Sequence, residues 1–408
     1  MATMHHRCTR ALAVALLARS SMACSAASEP GIAGDVSEAG NTAATDASAP
    51  AMDGGTGDAM TGDADASGPD AIPTIAMAHI SDGVPAFASS SANYQTVAGS
   101  ANDDNPLTSW SPSALPAWIA YDLSSVPASE RQSNLVVWNA LHSGSYVYSS
   151  TPSGADMPTD YVLEINAAPG GTPAPPTDGW TQVAAITDNL RGTVESPITM
   201  GGANWVRMTV TGATDPTLAI DLDVFSTPYG ATDCWLFMGD SITYITMPYA
   251  WNDVPSLVNM ARPDRWPAVI NAAVGGTNTS TAVTVLGATM AGYPGRYVVL
   301  PYGTNDNVSQ GAPFDLETLV QGVLAAGKVP VVPHMPWADV PLIQTNGPII
   351  NQMIDALYTK YPEILRGPDL WAAFLNRTDL IPSGDVHPNA AGQEFLRQQW
   401  ATVMAAVP

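Results

Sequence analysis

The sequence predicts a multi-domain protein: an antiparallel β-sandwich of jelly-roll type over residues 76–228, then a three-layer α/β domain with a parallel sheet over 229–408. Three observations carry this. From Ile75 to about residue 228, short apolar runs are broken by Pro, Gly, Asn and Asp with no long helical pattern between them, the grammar of a sandwich. After Tyr229, strand-like runs alternate with helix-like stretches, the grammar of a parallel sheet covered by helices. A chain of 408 residues is also longer than one hydrophobic core usually serves.

The chain opens with Arg7 and Arg10, an apolar run from Ala11 to Ala18, and Ser21-Met22-Ala23-Cys24. A basic start, a short apolar core and small residues make residues 1–24 a secretory signal. The stretch resembles a bacterial lipoprotein signal, which implies a lipid on Cys24 and anchoring to a membrane. Ordinary cleavage near Ala23, giving a secreted or periplasmic protein, is the other reading. Residues 25–75 carry nine acids (Glu29, Asp35, Glu38, Asp46, Asp53, Asp58, Asp63, Asp65, Asp70), no base and no aromatic, and are expected to form a disordered linker.

Within the first domain, strands are expected at Trp118–Leu123, Asn134–Trp138, Tyr161–Asn166, Trp180–Ile186, Trp205–Val210 and Leu218–Phe225. In the second they are expected at Cys234–Met238, Trp266–Asn271, Tyr297–Leu300 and Val329–Pro333, with helices at Phe314–Ala326, Ile349–Lys360 and Ala390–Ala405. Of three cysteines, only Cys234 lies in a folded domain and outside the signal, and its apolar neighbours mark it as a core residue. No Cys/His cluster has zinc spacing, so no metal or cofactor is expected.

Charge narrows the function. The net charge is -23 with only 14 Lys and Arg, and 12% of residues are charged. That balance excludes nucleic-acid binding and electrostatic docking on an anionic membrane, and leaves neutral substrates open.

Chemistry concentrates in four blocks of the second domain. Gly239-Asp240-Ser241 follows the first strand, and Asn271-Ala272-Ala273-Val274-Gly275-Gly276-Thr277 follows the second. Gly303-Thr304-Asn305-Asp306 follows the third, and Asp385-Val386-His387-Pro388 precedes the last helix. The carboxyl ends of parallel strands are where α/β sheets hold ligands. A serine hydroxyl needs a base within hydrogen-bond reach and a third group to orient that base. His387 and Asp385 are the residues of those types, and amide donors near Ser241 would stabilise an oxyanion.

In order and content the blocks resemble the SGNH hydrolase superfamily, the GDSL esterases. The resemblance implies that Ser241 is the nucleophile, His387 the general base and Asp385 the triad acid. It also implies that Gly276 and Asn305 supply the oxyanion hole. The family usually places two residues between acid and His, whereas here only Val386 intervenes. Asp240 and Asp306 read as braces of their loops, and Asn271 as a brace of its own. His334, Trp337 and Tyr302 are candidate pocket walls. The first domain resembles a discoidin-type, galactose-binding-like sandwich through Asn102-Asp103-Asp104-Asn105, Thr108-Ser109-Trp110, Pro116 to Leu123 and Asn204 to Val210. Asp103, Asp104 and Asn105 read as a surface turn, with a structural calcium as the lesser reading. Trp110, Trp118, Tyr146 and Tyr148 are candidate glycan contacts.

These readings point to a serine esterase acting on an acylated carbohydrate or other neutral ester, foremost an acetyl xylan-like O-deacetylase. A lipase, phospholipase or broad short-chain esterase is the alternative. The non-enzyme alternative is a glycan-binding surface protein.

Overall fold

In the computed structural model, described here for residues 77–105, 107–140, 157–214, 218–247 and 252–407, fourteen strands and seven α-helices follow one another. The expected signal, Cys24 and the acidic linker lie outside the described residues, as do Tyr146 and Tyr148.

The first nine strands are β1 (Ala78–His79), β2 (Ala86–Ala88), β3 (Ala117–Asp122), β4 (Ser133–Ala140), β5 (Pro158–Asn166), β6 (Thr181–Ile186), β7 (Thr193–Thr199), β8 (Trp205–Ala213) and β9 (Ile220–Ser226). They form two antiparallel sheets, β1-β9-β4-β7 and β2-β3-β8-β5-β6. The expected sandwich is therefore present. β7 was not anticipated, because Thr-Val-Glu-Ser-Pro-Ile-Thr mixes a charge and a proline into the run. As an edge strand it tolerates Pro197, whose missing N–H costs an interior strand a ladder bond.

β4 reads Ser-Asn-Leu-Val-Val-Trp-Asn-Ala, a near-continuous apolar run where a half-exposed strand would alternate. Both its faces are covered. Val136 and Trp138 enter the core of the sandwich, with Tyr161, Val224 and Leu222. Leu135 and Val137 enter a second core, with Met77, Phe225 and the apolar strands of the α/β domain. Sandwich and α/β domain thus share one apolar seam, each such side chain contributing roughly 1.5–3 kcal/mol of burial. Trp266 N–H also donates to Met77 O at 3.1 Å.

The second half comprises β10 (Cys234–Phe237), α1 (Ser241–Thr246), α2 (Val254–Ala261), β11 (Ala268–Asn271), α3 (Thr279–Gly292), β12 (Tyr297–Val299), α4 (Leu316–Ala325), β13 (Val329–His334), α5 (Pro341–Lys360), β14 (Leu365–Asp369), α6 (Leu370–Leu375) and α7 (Ala390–Ala406). The sheet is parallel throughout, in the order β11-β10-β12-β13-β14. β11 lies on one side of β10 and β12 on the other. The chain therefore reverses its direction of travel at β10, and the crevice at such a switch point receives ligands in open α/β sheets.

Packing explains the other departures from the expected helices. α5 starts at Pro341 and runs through Gly347 and Pro348, poor helix formers that mask it in the sequence. Buried Ile343, Asn346 and Ile350 hold that first half in place. Buried Arg265 forms a bidentate pair with Asp233 at 2.6 Å, and its Nη1 donates to Met404 O and Val407 O at 2.7 Å. This fastens the start of β10 to the end of α7. Cys234 is a free, fully buried thiol within the core.

Glu195 of β7 is buried at the seam, and its Oε2 has no hydrogen-bond partner. Burial pushes its carboxyl up to about 7, against its own backbone N–H and the charges of Arg191 and Lys328. The protonated form suits the fold. Stability from this group is thus full below about pH 4.5 and falls by on the order of 3 kcal/mol as pH rises through about 7. Melting temperatures of the parent and Glu195→Gln should agree near about pH 4.5 and separate by about 5–10 °C near about pH 8, the variant being the more stable. Equal melting temperatures at both would show that the carboxylate finds a counter-charge in the fold.

Candidate active site

β10 ends at Phe237, and three residues later its chain becomes helix α1. Gly239 makes that possible. Its φ is 147°, and a Cβ there would lie 2.7 Å from Thr243 Oγ1 and 2.9 Å from Pro301 Cγ. Asp240 caps α1, its Oδ1 accepting from Ile242 N–H at 2.9 Å. Only 1% exposed, this carboxyl is pushed up to about 6 by burial, against the Ile242 N–H bond and the neighbouring His387. Ser241 is the first residue of α1, so its N–H has no acceptor within the helix.

Two loops flank this turn. The loop after β11 passes beside Ser241 and is tied to the turn by Val274 N–H donating to Gly239 O at 3.0 Å. Gly276 sits in it with φ 76°, a left-handed conformation that favours glycine. Close approach does not require the glycine in the unliganded fold, since nothing lies within 4 Å of where a Cβ would be. Asn271 braces this loop, accepting from Ala273 N–H at 3.2 Å and donating to Tyr244 O at 3.2 Å.

The loop after β12 brings Asn305 to the other side. Its Nδ2 donates to Thr277 O at 3.1 Å and lies 3.5 Å from Asp240 Oδ2. Asp306 reaches beyond its own loop: its carboxylate accepts from Thr279 N–H at 3.1 Å and from Thr279 Oγ1 at 2.5 Å. The Asn305 loop is thereby tied to the start of α3, immediately after the Gly276 loop. Buried Asn346 of α5 adds a second tie, donating to Asp306 O at 3.3 Å and accepting from Ser309 N–H at 3.0 Å. Sequence reasoning missed Asn346, which stands in a helix section masked by Gly347 and Pro348.

His387 arrives from the segment before α7. Ser241 Oγ donates to His387 Nε2 at 2.8 Å across 146 positions of sequence. On the other side of the ring, Nδ1–H donates to Asp385 Oδ1 at 2.8 Å. The same oxygen accepts Val386 N–H at 2.7 Å and His387 N–H at 3.0 Å. The single intervening residue is thus accommodated by folding the acid back over its own backbone. Partial burial raises the Asp385 carboxyl, but the bonds from His387 and Val386 outweigh it and hold it below the usual carboxylate range. The ion therefore persists, and it fixes the imidazole with Nε2 as acceptor toward the serine.

The structure brings Ser241, His387 and Asp385 into one relay, with the Gly276 and Asn305 loops beside it. The face is open: Gly275, Gly276, Asn305 and Asp385 are exposed, Ser241 and His387 half-buried. The three candidate walls are placed differently, and His334 shares a small cavity with Asp240 and Thr304. Tyr302 is buried in the core, and Trp337 packs on the core's edge. His334 is held between Asp355 at 3.1 Å and Asp369 at 3.2 Å. In the sandwich, Trp110 is fully buried with Nε1–H donating to Ser90 O, which removes it as a glycan contact, whereas Trp118 is half-buried.

Residues 237–395 match the model of the GDSL-like Lipase/Acylhydrolase family. In sequence the chain is similar to thioesterase 1/protease 1/lysophospholipase L1 of Escherichia coli (strain K12), 26% identical over 180 residues that cover 41% of this chain and 80% of that protein. Among solved structures, a variant of an acetyl-xylooligosaccharide esterase from Geobacillus stearmophilus is 19% identical, with a TM-score of 0.35, over 43% of this chain and 95% of that one. A chitosan-binding module of a chitosanase/glucanase from Paenibacillus sp. IK-5 is 22% identical, with a TM-score of 0.28, over 36% of this chain and 98% of the module. What stands of the galactose-binding-like reading of the first domain is the β-sandwich itself, without that ligand. Family match and topology agree on the second domain, whose residues 237–395 match the GDSL/SGNH-type serine carboxylic ester hydrolases.

Proposed function

We propose that Ser241, His387 and Asp385 form the catalytic triad of an exported carbohydrate esterase that removes small acyl groups, foremost acetyl, from a polysaccharide. The observation that carries this is the 2.8 Å and 2.8 Å relay lying on an open face. An open face admits a bulky hydroxylated alcohol, and it gives a long acyl chain little surface to bury. The acid excess favours a neutral substrate.

Ser241 Oγ attacks the ester carbonyl carbon as its proton passes to His387 Nε2. The tetrahedral oxyanion takes hydrogen bonds from Ser241 N–H, Gly276 N–H and the Asn305 amide. Asn305 Nδ2 donates to Thr277 O at 3.1 Å and more weakly to Asp240 Oδ2 at 3.5 Å, and the N–H on Asp240 is the one that turns toward the oxyanion. The carbonyl–oxygen bond to the sugar then breaks, and His387 gives its proton to the leaving alcohol oxygen. Water, deprotonated by the same imidazole, attacks the acyl-enzyme, releases the carboxylic acid and restores Ser241. Asp385, already anionic, stabilises the imidazolium in both halves.

The half-exposed Trp118 supports the sandwich as the polysaccharide-contacting part. The signal and acidic linker set the enzyme outside the cytoplasm, with a lipid on Cys24 as its anchor. Lipid or thioester hydrolysis is the second reading, favoured by the similarity to the E. coli thioesterase 1/protease 1/lysophospholipase L1.

Ser241→Ala should lower kcat by about 10⁴-fold or more, and Asp385→Asn by about 10²-fold with KM little changed, because solvent partly replaces a half-exposed acid. Steady-state kinetics with p-nitrophenyl acetate measures both; unchanged turnover in Ser241→Ala would exclude the nucleophile. Acetate release from acetylated xylan should accompany a preference of about 10²-fold for p-nitrophenyl acetate over the palmitate ester. A long-chain preference without acetate release would replace the carbohydrate reading with the lipid one.

A further inference from the structure

Where the sandwich meets the catalytic domain there is a cavity whose lining includes none of Ser241, His387 and Asp385. Asp104, Asp221 and Asp223 line it from the sandwich, and Asp253 and Trp266 from the catalytic domain. His79 of β1 stands among them. The centre of a water molecule can travel through about 100 Å³ of this space, room for several waters and so for one sugar-sized ligand.

The charges are out of balance. Four carboxylates face one imidazole, and neither Lys nor Arg lines the cavity. His79 Nε2 is bound to Asp223 at 2.9 Å and lies 3.1 Å from Ser81 Oγ. Its Nδ1 is 3.9 Å from Asp104 Oδ1 and has no hydrogen-bond partner, although the side chain is only 4% exposed. The ring stacks on Phe225 at 4.9 Å. Burial pushes Asp104 up to about 7, aided by the charge of Asp253. Burial and neighbouring acids also raise Asp221, and burial raises Asp253. Such shifts mark carboxylates that lack a counter-cation.

We propose that this cavity binds an amino sugar, its ammonium held by Asp104, Asp221 and Asp253 and one ring hydroxyl accepting from His79 Nδ1–H. Burial lowers the His79 pKa, but Asp223 and Asp104 outweigh that and raise it, which favours the form with Nδ1–H as a donor. Among the described residues no group of three or more His, Cys, Asp or Glu is disposed to hold a metal ion. An ammonium instead satisfies several separated carboxylates with three N–H donors. Asn105, Asn139 and Asn271 also line it and suit hydroxyl recognition, and the Trp266 ring offers an apolar wall for the C–H face of a sugar.

Titration calorimetry of the full chain tests the proposal with glucosamine, N-acetylglucosamine and calcium chloride as separate probes. Glucosamine should bind with a Kd on the order of 1 mM, and N-acetylglucosamine, whose nitrogen carries no charge, at least about tenfold more weakly. Asp104→Asn and Asp221→Asn should each weaken glucosamine about tenfold or more while p-nitrophenyl acetate turnover stays at the parent level and melting shows a folded protein. Absence of saturable glucosamine binding, equal binding of the two sugars, or calcium binding that the same substitutions abolish while glucosamine stays unbound would each overturn it.

Discussion

The turn from β10 into α1 is the constraint on which the candidate site depends. A parallel strand points its carboxyl end at the crevice, and the helix must begin within three residues of it. Only a residue without a side chain fits at Gly239, because a Cβ there would collide with Thr243 and Pro301. Capping by Asp240 then sets the first turn of α1, which presents Ser241 at the rim. The neighbours follow from topology. β11 and β12 flank β10, so the loops after them carry Gly276 and Asn305 to either side of the serine. The Asp306–Thr279 bonds couple those two loops into one frame.

A second constraint is the apolar seam. The β1-β9-β4-β7 sheet is buried on one side by its own partner sheet and on the other by the catalytic domain. Leu135, Val137 and Phe225 would be exposed apolar surface if the sandwich stood alone. The seam also carries buried Glu195 and the carboxylates around His79.

How legible all this was depended on how far local chemistry matched the final environment. β10, β12 and β13 are buried on both faces, so their continuous apolar runs were readable. β7 was missed because Glu195 and Pro197 suit an edge strand and a buried acid, features that only the assembled sheets explain. α3 was missed because Thr, Gly and Ala are spread around it without a clear apolar stripe. The order of the four blocks located Ser241, Gly276, Asn305 and His387 on one face, but not how Asp385 reaches the ring. That depends on a backbone fold in which one oxygen accepts three N–H groups. Tryptophans misled in the opposite direction: Trp110 looked like a loop aromatic and is a core residue.

A working relay means that Ser241 becomes acylated with His387 as its base. Brief reaction with p-nitrophenyl acetate, acid quench and peptide mapping by mass spectrometry reads it directly. One added acetyl group should appear on the peptide containing Ser241, accumulating in the parent and lost in His387→Ala. Turnover with no acetyl on Ser241, or an acetyl carried by another residue and retained in Ser241→Ala, would contradict it.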